Sequence, residues 1–270
     1  MGESDPILGL IGAGNMAGAM VHGWVRADEG IAGRLLVTDR GSGRAAALAE
    51  RHGVRHVASN HDLVEQADVV VLCVKPIDVE RVLREVSDLI TPSKAIASVA
   101  AGVRTATLET ILDVDAPVFR FMPNVGVQVG RGTLAYSSGR FIDTVAEQTV
   151  LGAFRALGEI VPLEERQFDA ATALSGSGPA FLGLIIEAFE DAGVVNGLSE
   201  PQARELILST VSGTADLLRD EDLACSALRR MVTSPGGTAA AGLAEMERKG
   251  VRGAVIDGVS AAMRRAGELG

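Results

Sequence analysis

Two short segments set hydroxyl groups among glycines, and each leads into an apolar helical run: Ser175-Gly176-Ser177-Gly178-Pro179-Ala180 and Thr233-Ser234-Pro235-Gly236-Gly237-Thr238. Bare glycine backbone admits close approach by another group, and the unpaired N–H groups at a helix start suit a carboxylate. Turn chemistry accounts for part of the pattern. Ser177 or Gly178 can cap a helix with Pro179 in its first turn, and Thr238 can cap one that starts at Ala239. The paired glycines are left over, and they indicate approach by a ligand or by another chain.

What is missing narrows the reaction. Residues 140–270 contain no His and no Tyr, and their one Lys is Lys249. Alcohol oxidation calls for a positioned base of that kind. Reduction of a C=N bond asks less, because an iminium is already cationic; orienting it and binding its anionic group can suffice. His22, His52, His56 and His61 all lie early in the chain without metal-ligand grouping, so they read as surface or packing residues and no metal site is expected.

A third motif is Gly12-Ala13-Gly14-Asn15-Met16-Ala17, between the apolar run ILGLIG and a helix-forming stretch. Its glycines permit a tight turn and close approach of backbone to a pyrophosphate at a helix N-terminus. With Asp39 ending the next apolar run, RLLVTD, the whole reads as a dinucleotide fold. Asp39 suits a ribose 2′-hydroxyl, as in NADH, whereas Arg40 and Arg44 suit a 2′-phosphate. Arg40, directly beyond the strand, is the better placed of the two, and Arg44 reads as part of a solvated helix face. NADPH is therefore expected, with NADH as the alternative. Three further strand exits, Val74-Lys75-Pro76, Ala100-Ala101-Gly102 and Met122-Pro123-Asn124, outline a nicotinamide pocket, although turn chemistry alone explains Pro76 and Pro123.

The elements that must position these residues are legible as apolar runs at 7–12, 34–39, 68–74, 95–102 and 118–124, separated by helix-length segments. That alternation predicts a doubly wound parallel sheet covered on both faces. After about Glu164 no strand is expected and apolar residues recur at helical spacing, so the expected domains are 1–164, dinucleotide-binding, and 165–270, all-helical. The helical half is too uniformly apolar to be a satisfied outer layer, which predicts an obligate dimer. A net charge of −10 without a basic patch argues against nucleic acid. No uninterrupted apolar run approaches the ~20 residues of a membrane span, and Cys73 and Cys225 are too few and too far apart for a disulfide framework. These features predict a cytoplasmic protein acting on a small molecule.

Over nearly its whole length the chain resembles pyrroline-5-carboxylate reductases, through IGAGNMAGAM (11–20), VVLCVKP (70–76), SVAAGV (98–103), FMPN (121–124), ALSGSGPAF (173–181), EDAGVVNGL (190–198) and MVTSPGGT (231–238). The resemblance implies reduction of the cyclic imine 1-pyrroline-5-carboxylate to proline with NAD(P)H, in a Rossmann domain followed by a helical domain that interlocks with a second subunit, often in larger rings such as decamers. It places Gly12 through Ala17 on the pyrophosphate, and Asp39, Arg40 and Asn60 near the adenosine ribose. Val74, Lys75, Pro76, Ala100, Ala101 and Asn124 would line the remainder of the cofactor site. Ser234, Gly236, Gly237, Thr238 and Ala239 match the loop that binds the substrate carboxylate and ring nitrogen. Ala239 departs from the family, which usually has a Thr there whose hydroxyl reaches the ring nitrogen; Val125-Gly126 for Thr-Pro and Cys225 for Pro also depart. Thr238 or water would then assist protonation. A related cyclic imine as substrate, a 3-hydroxyacid-type dehydrogenase and a noncatalytic nucleotide-binding regulator are the competing readings.

Overall fold

The computed structural model describes residues 5–269. Its first elements alternate as the apolar runs require: β1 (Leu8–Ile11), α1 (Asn15–Ala27), β2 (Leu35–Thr38), α2 (Arg44–His52), β3 (Arg55–His56), α3 (Asn60–Gln66), β4 (Val69–Leu72), α4 (Pro76–Val86), β5 (Ala95–Ser98), α5 (Thr105–Leu112) and β6 (Val118–Pro123). There follow β7 (Gly132–Ser138), α6 (Thr144–Arg155) and β8 (Gly158–Pro162). One sheet holds all eight strands in the order β3-β2-β1-β4-β5-β6-β7-β8. Strand order reverses between β1 and β4, which puts a ligand crevice beyond their carboxyl ends.

Strands β1, β2, β4 and β5 are buried at every residue because helices cover both faces. Their alternating side chains feed two cores. Leu8 and Leu10 join Trp24, Phe119, Phe121 and Phe154 on one face, and Ile11 joins Leu63, Val82 and Leu83 on the other. The few aromatics are concentrated in the first core: Phe121 and Phe154 stack at 4.1 Å, and Trp24 meets Phe154 edge-on and donates its indole N–H to the Ala153 carbonyl at 2.8 Å.

The sheet departs from the expected all-parallel form. β7 runs antiparallel to β6, since the connection from Pro123 to Gly132 is too short for a crossover. β3, β7 and β8 are strands without an apolar run to announce them. β3 is two exposed residues, β7 is rich in small and hydroxyl residues, and β8 is a mostly exposed edge.

The remaining helices are α7 (Phe168–Ala171), α8 (Gly178–Val195), α9 (Glu200–Asp220), α10 (Cys225–Val232), α11 (Thr238–Arg248) and α12 (Val251–Leu269). The chain forms two compact units. One runs to Ser177 and takes in the residues from Ala262 onward; the other is Gly178–Ala261. Within Gly178–Ala261 the one buried residue is Ala203, which packs so closely on Gly193 of α8 that a Cβ there would lie 2.8 Å from its own. Leu182, Leu184, Phe189, Leu206, Met231 and Ile256 are exposed. A helical unit with no core of its own needs a covering surface. The helical run Glu165–Val195 is long and apolar enough to cross a membrane, although Glu187, Glu190 and Asp191 interrupt its apolar stretch.

Candidate active site

Gly12 turns the chain out of β1 with φ at +104°, and its N–H donates to the Thr38 carbonyl at 2.9 Å. A Cβ on Gly12 would lie 2.8 Å from the Cys73 carbonyl oxygen, so the exits of β1, β2 and β4 meet at this residue. Gly14 is the N-cap of α1 and offers no side chain to the first-turn N–H groups; a Cβ there would meet nothing within 4 Å. Asn15 is exposed, and Met16, Ala17 and Ala13 pack inward. An uncapped helix N-terminus over open space fits a pyrophosphate. The Thr38 hydroxyl, at the end of β2, is buried and has no hydrogen-bond partner among the described residues.

The adenosine side is more occupied than the sequence suggests. Asp39 accepts four hydrogen bonds from its own loop, from the Gly41, Ser42 and Ala45 N–H groups and the Ser42 hydroxyl, at 2.6–3.1 Å. Burial pushes its carboxyl upward, but these bonds outweigh that and hold it below its ordinary value. Arg40 forks onto Asp78 of α4 at 3.0 and 3.1 Å, and Asn60 donates to Glu85 at 3.0 Å. Arg40, the expected 2′-phosphate partner, is exposed and pairs with Asp78.

Lys75, exposed, is the N-cap of α4, and Pro76 opens that helix, where a missing N–H costs nothing. Val74 is half-buried beside Cys73, whose thiol burial pushes up to about 12. Ala100 is buried and Ala101 half-buried ahead of Gly102. Asn124 is spent structurally: its oxygen accepts from the Gly126 and Thr133 N–H groups, and its amide donates to the Ser175 carbonyl and hydroxyl at 3.3 Å.

That last contact adds to the reading of Ser175–Ala180. Helix α8 does start at Gly178, with Ser177 just before it and Pro179 in its first turn as expected, but the segment ahead of it is not a free loop. Residues 172–176 already form a π-helical turn, and Ser177 N–H bonds back to the Thr172 carbonyl. Pro179 has no N–H to give the Ser175 carbonyl four residues earlier, and the Asn124 amide supplies a donor instead. The Gly176 backbone is approached by this chain's own Met122, 3.1 Å from where a Cβ would stand.

A network that the sequence reading missed holds the same walls together. Arg120, on β6, is 4% exposed; it pairs with Glu165 and lies 4.2 Å over the Phe168 ring. Glu165 also accepts from the Thr105 N–H at 2.9 Å and its hydroxyl at 3.0 Å. One carboxylate thus ties the β6 strand, the loop that follows β5 and the segment leading to α7. The signal was available: an Arg within the apolar run VFRFMP needs a buried partner.

In the second unit, Gly236 has φ of +70° and the Gly237 N–H donates to the Ser234 carbonyl at 3.0 Å. A Cβ on Gly237 would lie 2.5 Å from the Ser234 hydroxyl. The two glycines therefore do different work, one turning the chain and the other admitting Ser234. Thr238 is not the cap of α11 but its first residue; the N-cap is Gly237, again without a side-chain acceptor. Ser234 and Thr238 are exposed, Ala239 is half-buried, and the adjoining Thr233 hydroxyl is buried without a partner among the described residues. The loop is an uncapped helix N-terminus flanked by hydroxyls, suited to a carboxylate. Cys225 stands first in α10, a position where Pro is at home.

Comparison with known proteins agrees with both halves. Residues 165–269 match the family described as pyrroline-5-carboxylate reductase dimerisation, and residues 7–102 match that of coenzyme F420-dependent NADP oxidoreductases. The chain is 38% identical to pyrroline-5-carboxylate reductase of Mycobacterium tuberculosis, over 97% of this chain and 96% of that one. It is similarly 35% identical to the Pseudomonas aeruginosa enzyme, over 98% and 97%. Among solved structures, the Plasmodium falciparum pyrroline carboxylate reductase with NADP bound superposes with a TM-score of 0.88 at 30% identity, covering all of both chains. A 3-hydroxyisobutyrate dehydrogenase of Mycobacterium tuberculosis, at 17% identity and a TM-score of 0.51, shares the fold alone.

Proposed function

The chain belongs to the pyrroline-5-carboxylate reductase family and is an NAD(P)H-dependent reductase of 1-pyrroline-5-carboxylate in proline biosynthesis; from that premise we propose how its residues divide the work. Gly12, Ala13, Gly14, Asn15, Met16 and Ala17 hold the pyrophosphate at the start of α1. Asp39 shapes the loop beneath the adenosine ribose, with Arg40 and Asn60 beyond it. Val74, Lys75, Pro76, Ala100 and Ala101 line the nicotinamide side, and Asn124 fixes that wall rather than touching the cofactor. When bound, the reduced dinucleotide supplies the hydride.

The observation that carries the substrate assignment is the uncapped start of α11. Its free N–H groups and the Ser234 hydroxyl bind the carboxylate, with Gly236 and Gly237 keeping the approach open. This fixes the ring and presents its C=N bond, so positioning does most of the catalysis. Ala239 has no hydroxyl to offer the ring nitrogen, so the nearest protic group on this loop is Thr238.

NADPH oxidation followed in the presence of 1-pyrroline-5-carboxylate tests the assignment, and no absorbance loss by protein that binds the dinucleotide overturns it. Ser234→Ala removes a hydrogen bond to a charged group and raises KM about tenfold; an unchanged KM counts against the cradle. Ala239→Thr restores one hydrogen bond at the ring nitrogen and raises kcat by a factor of up to about ten. A flat kcat would show that Thr238 or water already suffices.

Residues 165–269 form a dimerisation domain. A second copy covers the exposed apolar faces of α8 and α9, the apolar run Glu165–Val195 included, in an enzyme working in the cytoplasm. Rings of such dimers extend the same reading. Light scattering is expected to give at least twice the 28.0 kDa chain mass, and a monomer at that mass refutes the interlocked domain.

A further inference from the structure

Two side-chain polar atoms among the described residues are buried with no hydrogen-bond partner, the hydroxyls of Thr38 and Thr233. Each stands at the root of a ligand loop. Thr38 ends β2, and its carbonyl takes the Gly12 N–H at the head of the dinucleotide loop. Thr233 is the C-cap of α10 and directly precedes Ser234 in the loop that leads into α11. An unpaired hydroxyl is costly to bury, and Val would fill nearly the same space without that cost. Placement at the two loops, and nowhere else among the described residues, ties these hydroxyls to ligands rather than to packing.

At Thr233 the local structure shows how the hydroxyl is reached. The residue is half-buried, with its hydroxyl turned away from solvent. Threonine carries a hydroxyl and a methyl on one carbon, so a single rotamer step exchanges them and brings the hydroxyl out while the methyl goes in. The surroundings permit it. The backbone at Thr233 is extended, at φ −111° and ψ 92°, its N–H reaches the Arg230 carbonyl only at 3.4 Å, and Ser234, Pro235, Gly236 and Thr238 beyond it are exposed. The loop also has use for another donor. From Met231 to Ala244 the chain has no charged residue, so a carboxylate at the start of α11 is held by neutral donors alone. Its two oxygens offer about four acceptor sites, more than Ser234 and the first-turn N–H groups fill.

We propose that Thr233 is a second hydroxyl donor to the substrate carboxylate, turning from its buried rotamer onto an oxygen that Ser234 leaves free. The inference rests on the carboxylate role proposed above for this loop. Its consequence is a pair of opposed effects: the hydroxyl weakens the fold while it is buried unpaired, and strengthens substrate binding once it is turned out. A hydroxyl kept for packing or for a fixed internal partner has neither property.

Thr233→Val and Thr233→Ser, compared with wild type, test this by urea denaturation, by kinetics with 1-pyrroline-5-carboxylate, and by titration with cyclopentanecarboxylate, a ring of the same size that bears the carboxylate and no C=N bond. Thr233→Val is expected to raise the urea midpoint, and to raise KM and weaken cyclopentanecarboxylate by about tenfold each. Because the lost contact serves substrate and transition state alike, kcat and NADPH affinity stay within about twofold. Thr233→Ser keeps the donor and is expected to hold KM within about threefold of wild type. A lower urea midpoint in Thr233→Val shows that the hydroxyl had a partner in the free protein, and overturns the proposal. So does a Thr233→Val dimer that dissociates more readily than wild type, since the hydroxyl then meets the second copy. A raised KM in Ser234→Ala with none in Thr233→Val leaves the carboxylate cradle standing and removes this inference alone. A KM that neither variant moves, or a wild type that neither turns over nor binds the ring carboxylate, removes the cradle and this inference with it.

Discussion

Gly12→Ala destabilises the protein by about 2–6 kcal/mol and abolishes useful dinucleotide affinity, whereas Gly14→Ala, at the N-cap of α1, costs stability only about 1 kcal/mol and mainly weakens binding. The contrast follows from what a Cβ meets at each position. At Gly12 the backbone has φ of +104°, and the new carbon would stand 2.8 Å from the Cys73 oxygen, 2.9 Å from the Cys73 carbonyl carbon and 3.1 Å from the Val74 nitrogen. All three are backbone atoms, so no rotamer change relieves the clash. Strain of about 1–3 kcal/mol for the φ and a similar amount for overpacking give the total. Relief requires β1 and β4 to part where Val74 and Lys75 leave the sheet, and the crevice deforms with them. At Gly14 φ is an ordinary −75° and the Cβ enters open space, the space assigned to the pyrophosphate. Urea melts of both variants, with NADPH titration, measure the two effects separately. Equal stability losses would show that the fingerprint glycines serve packing alone.

The parts of this molecule that sequence shows plainly are those whose physics is local. A strand buried on both faces must be apolar at successive positions, so β1, β2, β4, β5 and β6 stand out. Gly12 and Gly236 are legible because each takes a positive φ at a turn into a helix. Side-chain commitments between distant segments are not local. Nothing about Asp39 or Arg40 announces that one caps its own loop and the other reaches Asp78, 38 residues later. Asn124 and Ser175 are 51 residues apart, so the motif before Gly178 shows the start of α8 but not the π-turn ahead of it that is held from outside. The edge strand β8 escapes for the opposite reason, since it buries too little to need a pattern. Buried strands and positive-φ turns are thus legible in the sequence, whereas exposed edge strands and the polar groups left free to meet a ligand are not.

The network around Glu165 carries the other large expected effect. Glu165→Ala would leave the Arg120 guanidinium buried without a counter-charge, which costs about 3–5 kcal/mol. It would also strip the acceptor from the Thr105 N–H and hydroxyl at the head of α5. The Phe168 ring beneath Arg120 compensates only in part, by about 1–2 kcal/mol. Glu165→Gln keeps an acceptor for Thr105 but loses the charge, so its cost falls between wild type and Ala. Arg120→Met combined with Glu165→Gln removes the stranded charge altogether and should be more stable than Glu165→Ala, a non-additivity that marks direct coupling. Denaturation midpoints rank the three variants, and a loss below about 1 kcal/mol in Glu165→Ala would place the pair in the class of weak surface bridges. Turnover separates support from mere stability. The loop Ala100–Gly102 ends at the helix that Glu165 holds, and Ser175 hangs from the strand that carries Arg120. In the double variant, restored stability with kcat still low would show that the ion pair sets the register of the pocket walls; recovery of both would limit it to holding the fold.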